Sequence, residues 1–138
     1  YKEPNDVLIG SRYYAAHQVD GAKPDYAVLF DMVGDQDLRI PREPNSVIAA
    51  PDVMDMIWRI AKRTGHGDVF VDAQGDALTD DHVELQKAGL RAVDLVDFSY
   101  GPGNSYWHTK DDTIDKVSAR SLGAVGDVAM ALIRTANK

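Results

Sequence analysis

The chain has 138 residues, enough for one domain with its own core. Apolar residues make up 44% and charged residues 27%, ordinary values for a globular domain, and the formal net charge of -7 argues against nucleic-acid phosphates or an anionic membrane surface as the main partner. There is no cysteine, so disulfides and thiolate sites are excluded and any metal must take imidazole and carboxylate ligands.

No apolar stretch reaches membrane-spanning length, and no signal peptide is visible. The chain begins at Tyr1 rather than Met, which leads us to expect a processed product or a fragment. Residues 1–5 are polar and contain Pro4. Asp6 is placed to cap a helix running to Gln18, with Val7, Leu8, Tyr13, Tyr14 and Ala15 as its apolar positions. Asp20-Gly21 and Pro24-Asp25 are turn signals. Tyr26 to Val33 is an apolar run broken by Asp31, as expected of a strand buried on both faces.

The segment from Gly34 to Ser46 is polar, holds Pro41 and Pro44, and is expected to be irregular with a short strand at Leu38 to Pro41. A helix is predicted from Pro51, its inner face formed by Val53, Met54, Ile57, Trp58, Ile60 and Ala61, and stopped at Gly65-His66-Gly67. Val69 to Val71 is a second strand. A loop from Asp72 to Thr79 leads to a short helix, Asp81 to Ala88, capped by Asp80 or Thr79 and ended by Gly89. Ala92 to Phe98 is a third strand, followed by a loop from Tyr100 to Thr113 rich in Gly, Pro and aromatics. Ser118 opens a last helix to Thr135, with Leu122, Val125, Val128, Ala129, Leu132 and Ile133 inward. The order αβαβαβα predicts one α/β domain: a mixed, mostly parallel sheet sandwiched by helices.

Three places can carry chemistry. Asp31 ends a buried strand, where an unpaired carboxylate is costly and where ligands bind in open α/β sheets; it can equally cap the turn that leads to Gly34. Asp80-Asp81-His82 opens a helix, and cap and dipole effects account for one aspartate well and the second adequately, each worth about 1 kcal/mol. His108 lies between Trp107 and Thr109. A lone loop histidine is usually surface, but Tyr106 and Trp107 beside it are costly to expose and suggest a pocket wall. In the tail from Lys110 to Asp115, one carboxylate can orient the imidazole of His108. His17 and His66 have no acidic or aromatic company at useful spacing and are expected at the surface.

Together, Asp31-Met32-Val33-Gly34 after a strand, Asp80-Asp81-His82 before a helix, Gly89-Leu90-Arg91-Ala92-Val93 leading into a strand, and Trp107-His108-Thr109-Lys110-Asp111-Asp112 resemble the C-terminal half of M28-type zinc aminopeptidases. Glutaminyl cyclases share the fold and much of the pattern. The resemblance runs from Gly10-Ser11-Arg12-Tyr13-Tyr14 to the last helix. It implies roles. In the aminopeptidases the aspartate at the position of Asp31 ligates the second of two zinc ions; in the cyclases, which hold one zinc, it is a catalytic hydrogen-bonding carboxylate. The histidine at the position of His108 is a zinc ligand in both. Asp80 matches a carboxylate beside the substrate, and Trp107 matches a tryptophan of the cyclase pocket; Tyr100 and Tyr106 are expected to shape that pocket for the substrate's first side chain.

The chain also departs from the pattern. The family's remaining ligands, and the adjacent Glu-Glu or Glu-Asp pair that supplies the general base, lie upstream and have no match here: Glu3 and Glu43 are followed by proline, and Glu84 falls in another helix. Asp97 stands where the cyclases carry histidine. At most two ligands are then present, and a zinc site normally takes three from the protein. The resemblance therefore implies part of a zinc-dependent aminopeptidase that acts on peptides, with weak or no zinc binding and no turnover by this chain alone. A glutaminyl-peptide cyclotransferase and a non-catalytic α/β binding or assembly module are the alternatives. An extracytoplasmic location is expected, and so is self-association through an exposed sheet edge.

Overall fold

A computed structural model describes residues 7–18 and 23–136. The polar start at 1–5, the Asp6 cap and the Asp20-Gly21 turn lie outside the described residues. Strand β1, Ala27–Asp31, pairs in parallel with β4, Ala92–Val96. Strand β2, Ile40–Arg42, pairs in parallel with β3, Phe70–Gln74. Parallel neighbours need crossovers, and the helices supply them: α2, Pro44–Ala49, and α3, Pro51–Arg63, join β2 to β3; α4, Asp81–Lys87, joins β3 to β4. Helix α1, Ile9–Ala16, precedes β1, and α5, Ala119–Ala136, ends the chain.

Among the described residues no backbone ladder joins the two strand pairs. Side-chain oxygens connect β4 to the β2 side instead. The Asp97 carboxylate accepts from the Arg39 amide at 2.8 Å, and the Ser46 hydroxyl accepts from the Asp94 amide at 2.9 Å. The second bond satisfies a strand amide that would otherwise be buried without a partner.

The two faces of β4 differ in chemistry. Because side chains alternate along a strand, Val93 and Leu95 share one face and Asp94 takes the other. Val93 and Leu95 join Ile40, Met54, Ile57 and Phe70 with Val125, Val128 and Leu132 of α5 in a single apolar core. Trp58 packs edge-on against Phe70, with ring centroids 5.6 Å apart, and donates its indole N–H to the Val71 carbonyl at 3.0 Å. The opposite face of β4 carries α2 and α4, and there Asp94 is fully buried.

Several expectations need correction. The segment before Ser46 is not irregular throughout: α2 starts at Pro44, with Glu43 as its cap accepting from the amides of Asn45 and Ser46. Proline at the first helical position starts a helix rather than breaking one. Helix α1 has no buried residue and no side-chain cap, and Tyr13 and Tyr14 are exposed. In α5, Leu122 and Ile133 point outward; the inner stripe is Ser121, Ala124, Val125, Val128 and Leu132, the spacing of a single helical face. Among the described residues no helix is long and apolar enough to cross a membrane.

Leu95 has no exposed surface at the centre of this core. Leu95→Ala should lower the unfolding free energy by about 2–5 kcal/mol, read from urea denaturation.

Candidate active site

Asp31 is the last residue of β1, and the chain turns sharply after it because Met32 adopts a left-handed conformation, φ 52°. Side chains other than glycine seldom sit there, and such strain gathers at functional sites. The Asp31 carboxyl is pushed above the usual carboxylate range, first by burial and then by the charges of Asp80 and Asp81; the Met32 amide and His108 pull the other way. Three other residues singled out in the sequence thus lie near enough to act on the charge of Asp31: Asp80 and Asp81 from the start of α4, and His108 from the loop after β4. Of the two cap candidates, Asp80 and Thr79, it is Asp80 that caps α4, its Oδ1 accepting from the Asp81 amide at 2.6 Å.

His108 is exposed and also left-handed, φ 55°. The indole of Trp107 stacks on its ring, with centroids 4.2 Å apart and planes 21° from parallel. Trp107 in turn meets Phe98 edge-on at 5.1 Å. The Tyr100 hydroxyl donates to Asp112 at 2.7 Å, which pushes its pKa up to about 12, with burial adding to the effect. Tyr106 packs edge-on against Tyr100 at 5.3 Å and lies across Gly101. Gly101 has φ 73°, and a Cβ there would fall 2.5 Å from the Tyr106 ring, so only glycine fits. Trp107 therefore stands beside His108, whereas Tyr100 and Tyr106 brace the loop that carries it.

At the C-terminal ends of β2, β3 and β4, Gln74, Gly75, Asp76, Leu78, Phe98 and Ser99 help to line a cavity of about 250 Å³. Phe98 links this cavity to Trp107.

His82, the third residue of the Asp80-Asp81-His82 motif, is completely buried. Its Nε2 lies 3.4 Å from Glu43 Oε2, and its Nδ1 lies 3.4 Å from Asp94 Oδ2. Glu43 also accepts from the amides of Asn45, Ser46 and Leu78 and from the Ser46 hydroxyl. Burial opposes its charge, but His82 and these donors outweigh burial and hold its pKa at about 2. Asp94 has no such set of donors. Burial pushes its pKa up to about 7; Asp31, Asp80 and Glu43 add to the rise, and His82 offsets part of it. One signal in the sequence could have found this cluster: Asp94 interrupts the apolar strand Ala92-Val93-Asp94-Leu95-Val96, and a buried carboxylate must have a partner.

The other histidines also have company that the sequence reading did not foresee. His66 Nε2 lies 3.0 Å from Asp127 Oδ2, and His17 stacks on Tyr13 with centroids 4.0 Å apart. Both pairs depend on folding: α5 brings Asp127 to His66, and one helical turn brings Tyr13 over His17.

Asp31 and His108 have the donor types that zinc takes. Among the described residues, however, no three His, Asp or Glu side chains stand together closely enough to hold a metal ion. The two residues do not make up a metal centre by themselves.

The sequence matches the profile of peptidase family M28 over residues 4–133, and the chain belongs to that family. Its structure is similar to a leucine aminopeptidase precursor from Bacteroides thetaiotaomicron, at 32% identity and a TM-score of 0.82, covering 88% of this chain and 42% of that one. It is also similar to a Zn-dependent exopeptidase from Parabacteroides distasonis, at 27% identity and a TM-score of 0.87, covering 96% and 47%. A glutaminyl cyclase from Porphyromonas gingivalis is similar at 29% identity and a TM-score of 0.86, covering 93% and 46%. The chain spans less than half the length of these three structures. None of the curated proteins matches it significantly.

The raised Asp94 pKa fixes the sign of a pH effect. Asp94 titrates near the ordinary value of 3.8 when unfolded and near 7 when folded, so between these values the folded chain holds a proton that the unfolded chain has lost. This contribution to stability is complete below the lower value and fades as pH rises through the upper one. Asp94→Asn should therefore gain stability relative to the parent chain between about pH 5 and about pH 8, as read from urea unfolding midpoints.

Proposed function

We propose that this chain is the C-terminal part of the catalytic domain of an M28-type zinc aminopeptidase, which removes N-terminal residues from peptides. In this reading Asp31 and His108 are two of the metal ligands, Asp80 supports the substrate amine or the surroundings of His108, and Trp107 walls the pocket, with Tyr100 and Tyr106 behind it. The convergence of Asp31, Asp80, Asp81 and His108 carries the reading. The charges of Asp80 and Asp81 add to the rise of the Asp31 carboxyl, and a cation beside it would relieve that repulsion. The remaining ligands and the general base belong to sequence that this chain does not contain, so the chain alone is inactive and binds zinc weakly or not at all.

The match to glutaminyl cyclases, with Trp107 stacked on His108, keeps a glutaminyl-peptide cyclotransferase as the second reading. One zinc in the intact enzyme favours the cyclase and two favour the peptidase. The outer edge of β1 supports self-association of the chain by itself. Among the described residues β1 pairs only with β4, and a groove along it is lined by Tyr26, Val28, Phe30, Ala129, Leu132 and Ile133. We further place the protein outside the cytoplasm, as the family resemblance implies.

Calorimetric titration with zinc tests the assignment on this chain, on Asp31→Asn and on His108→Ala. The reading expects no binding, or weak binding that both substitutions abolish. Binding that survives both substitutions overturns Asp31 and His108 as ligands. Release of an N-terminal residue from a peptide by this chain alone overturns the claim that its site is partial.

A further inference from the structure

We propose that His82 is a positioning residue: held between Glu43 and Asp94, it sets Asp80 and Asp81 beside Asp31. The inference rests on the reading of Asp31 and Asp80 as site residues and adds what places them.

Helix α4 spans seven residues, too few for its own hydrogen bonds to define it. Its one fully buried side chain is His82. A helix on a sheet is ordinarily anchored by apolar side chains; here the anchor is an imidazole with a carboxylate 3.4 Å from each ring nitrogen. The two carboxylates come from different elements, Glu43 from the cap of α2 and Asp94 from the middle of β4. Among the described residues neither ring nitrogen meets hydrogen-bond geometry with any group, so the two carboxylates are the charged groups it faces. An imidazole in this place can meet both carboxylates only in a narrow range of positions, whereas an apolar residue could slide and would leave Asp94 without a partner.

The same cluster holds the approach to Asp80. Glu43 Oε1 accepts from the Leu78 amide at 3.2 Å, and Asn45 Nδ2 donates to the Leu78 carbonyl at 2.8 Å. Asp80 is thus fixed from both sides: through Leu78 two residues before it, and through His82 two residues after it. Glu43 takes part in both attachments. Helix α4 packs on β1 as well as β4, so a shift of α4 is a shift of Asp80 relative to Asp31.

Amide hydrogen exchange and backbone amide resonances, followed by NMR on the 138-residue chain, test the inference. The variants are His82→Gln and, as a control that weakens the opposite face, Val53→Ala. In His82→Gln, amides from Leu78 to Val83 should exchange about tenfold faster or more, with α3 and α5 little changed. The resonances of Asp31, Met32 and Val33 should move in the same variant. Val53→Ala should speed exchange in α3 and leave the Asp31 resonances in place. A uniform loss of protection in His82→Gln, or unmoved Asp31 and Met32 resonances, overturns the positioning role. Should His82→Gln fail to fold, Glu43→Gln carries the same test, because it keeps the side-chain volume and removes the charge facing the imidazole; unchanged exchange from Leu78 to Val83 then overturns the proposal. Zinc calorimetry tests the ligand reading separately, so either can fail while the other stands.

Discussion

Strand β4 has to bury both of its faces, and they are buried in opposite ways. On one side Val93 and Leu95 enter an apolar layer formed with α3 and α5. On the other, Asp94 is closed off from solvent with an imidazole as its partner. Apolar packing tolerates small displacements, because many weak contacts can rearrange. A buried carboxylate tolerates few, since each unmet hydrogen bond costs about 1–3 kcal/mol. The polar face therefore sets the register of α2 and α4 on the sheet, while the apolar face provides the bulk of the stabilisation.

That division of labour reaches the site. Asp31, Asp80, Asp81 and His108 come from a strand end, a helix start and a loop, and none is placed by a contact within its own element alone. Asp31 is set by the parallel register that pairs it with Val96. The acidic pair depends on how α4 is seated. His108 is held by Trp107, by Phe98 beyond it, and by a loop closed over Gly101 through Tyr100, Tyr106 and Asp112. Left-handed residues follow Asp31 and coincide with His108, so the backbone is strained where the side chains converge.

Much of the fold was legible in the residues. The apolar spacing of α3, the cap and glycine stop of α4, and the largely apolar runs of β1 and β4 lead to the elements observed, within a residue or two at the ends. Local chemistry decides these elements, so local reading finds them. Helix α2 escapes a local reading because proline breaks a helix in its interior and suits it only in the first turn, although Glu43 before Pro44 caps it. The outward turn of Leu122 and Ile133 could not be read at all, since which stripe of α5 faces the core depends on where the sheet lies.

By itself the sequence determined the α/β class, the family, and the identity of Asp31, Asp80 and His108 as residues of interest. Each is announced by its neighbours in the chain: an apolar strand ending in a carboxylate, an acidic helix start, an imidazole among aromatics. Only the tertiary structure decided the company these residues keep. It gave His82 two carboxylates 39 residues upstream and 12 downstream in the chain, tied Tyr100 to Asp112, and paired His66 with Asp127. Such partners are set by the packing of whole elements against one another, and no short stretch of sequence contains that information.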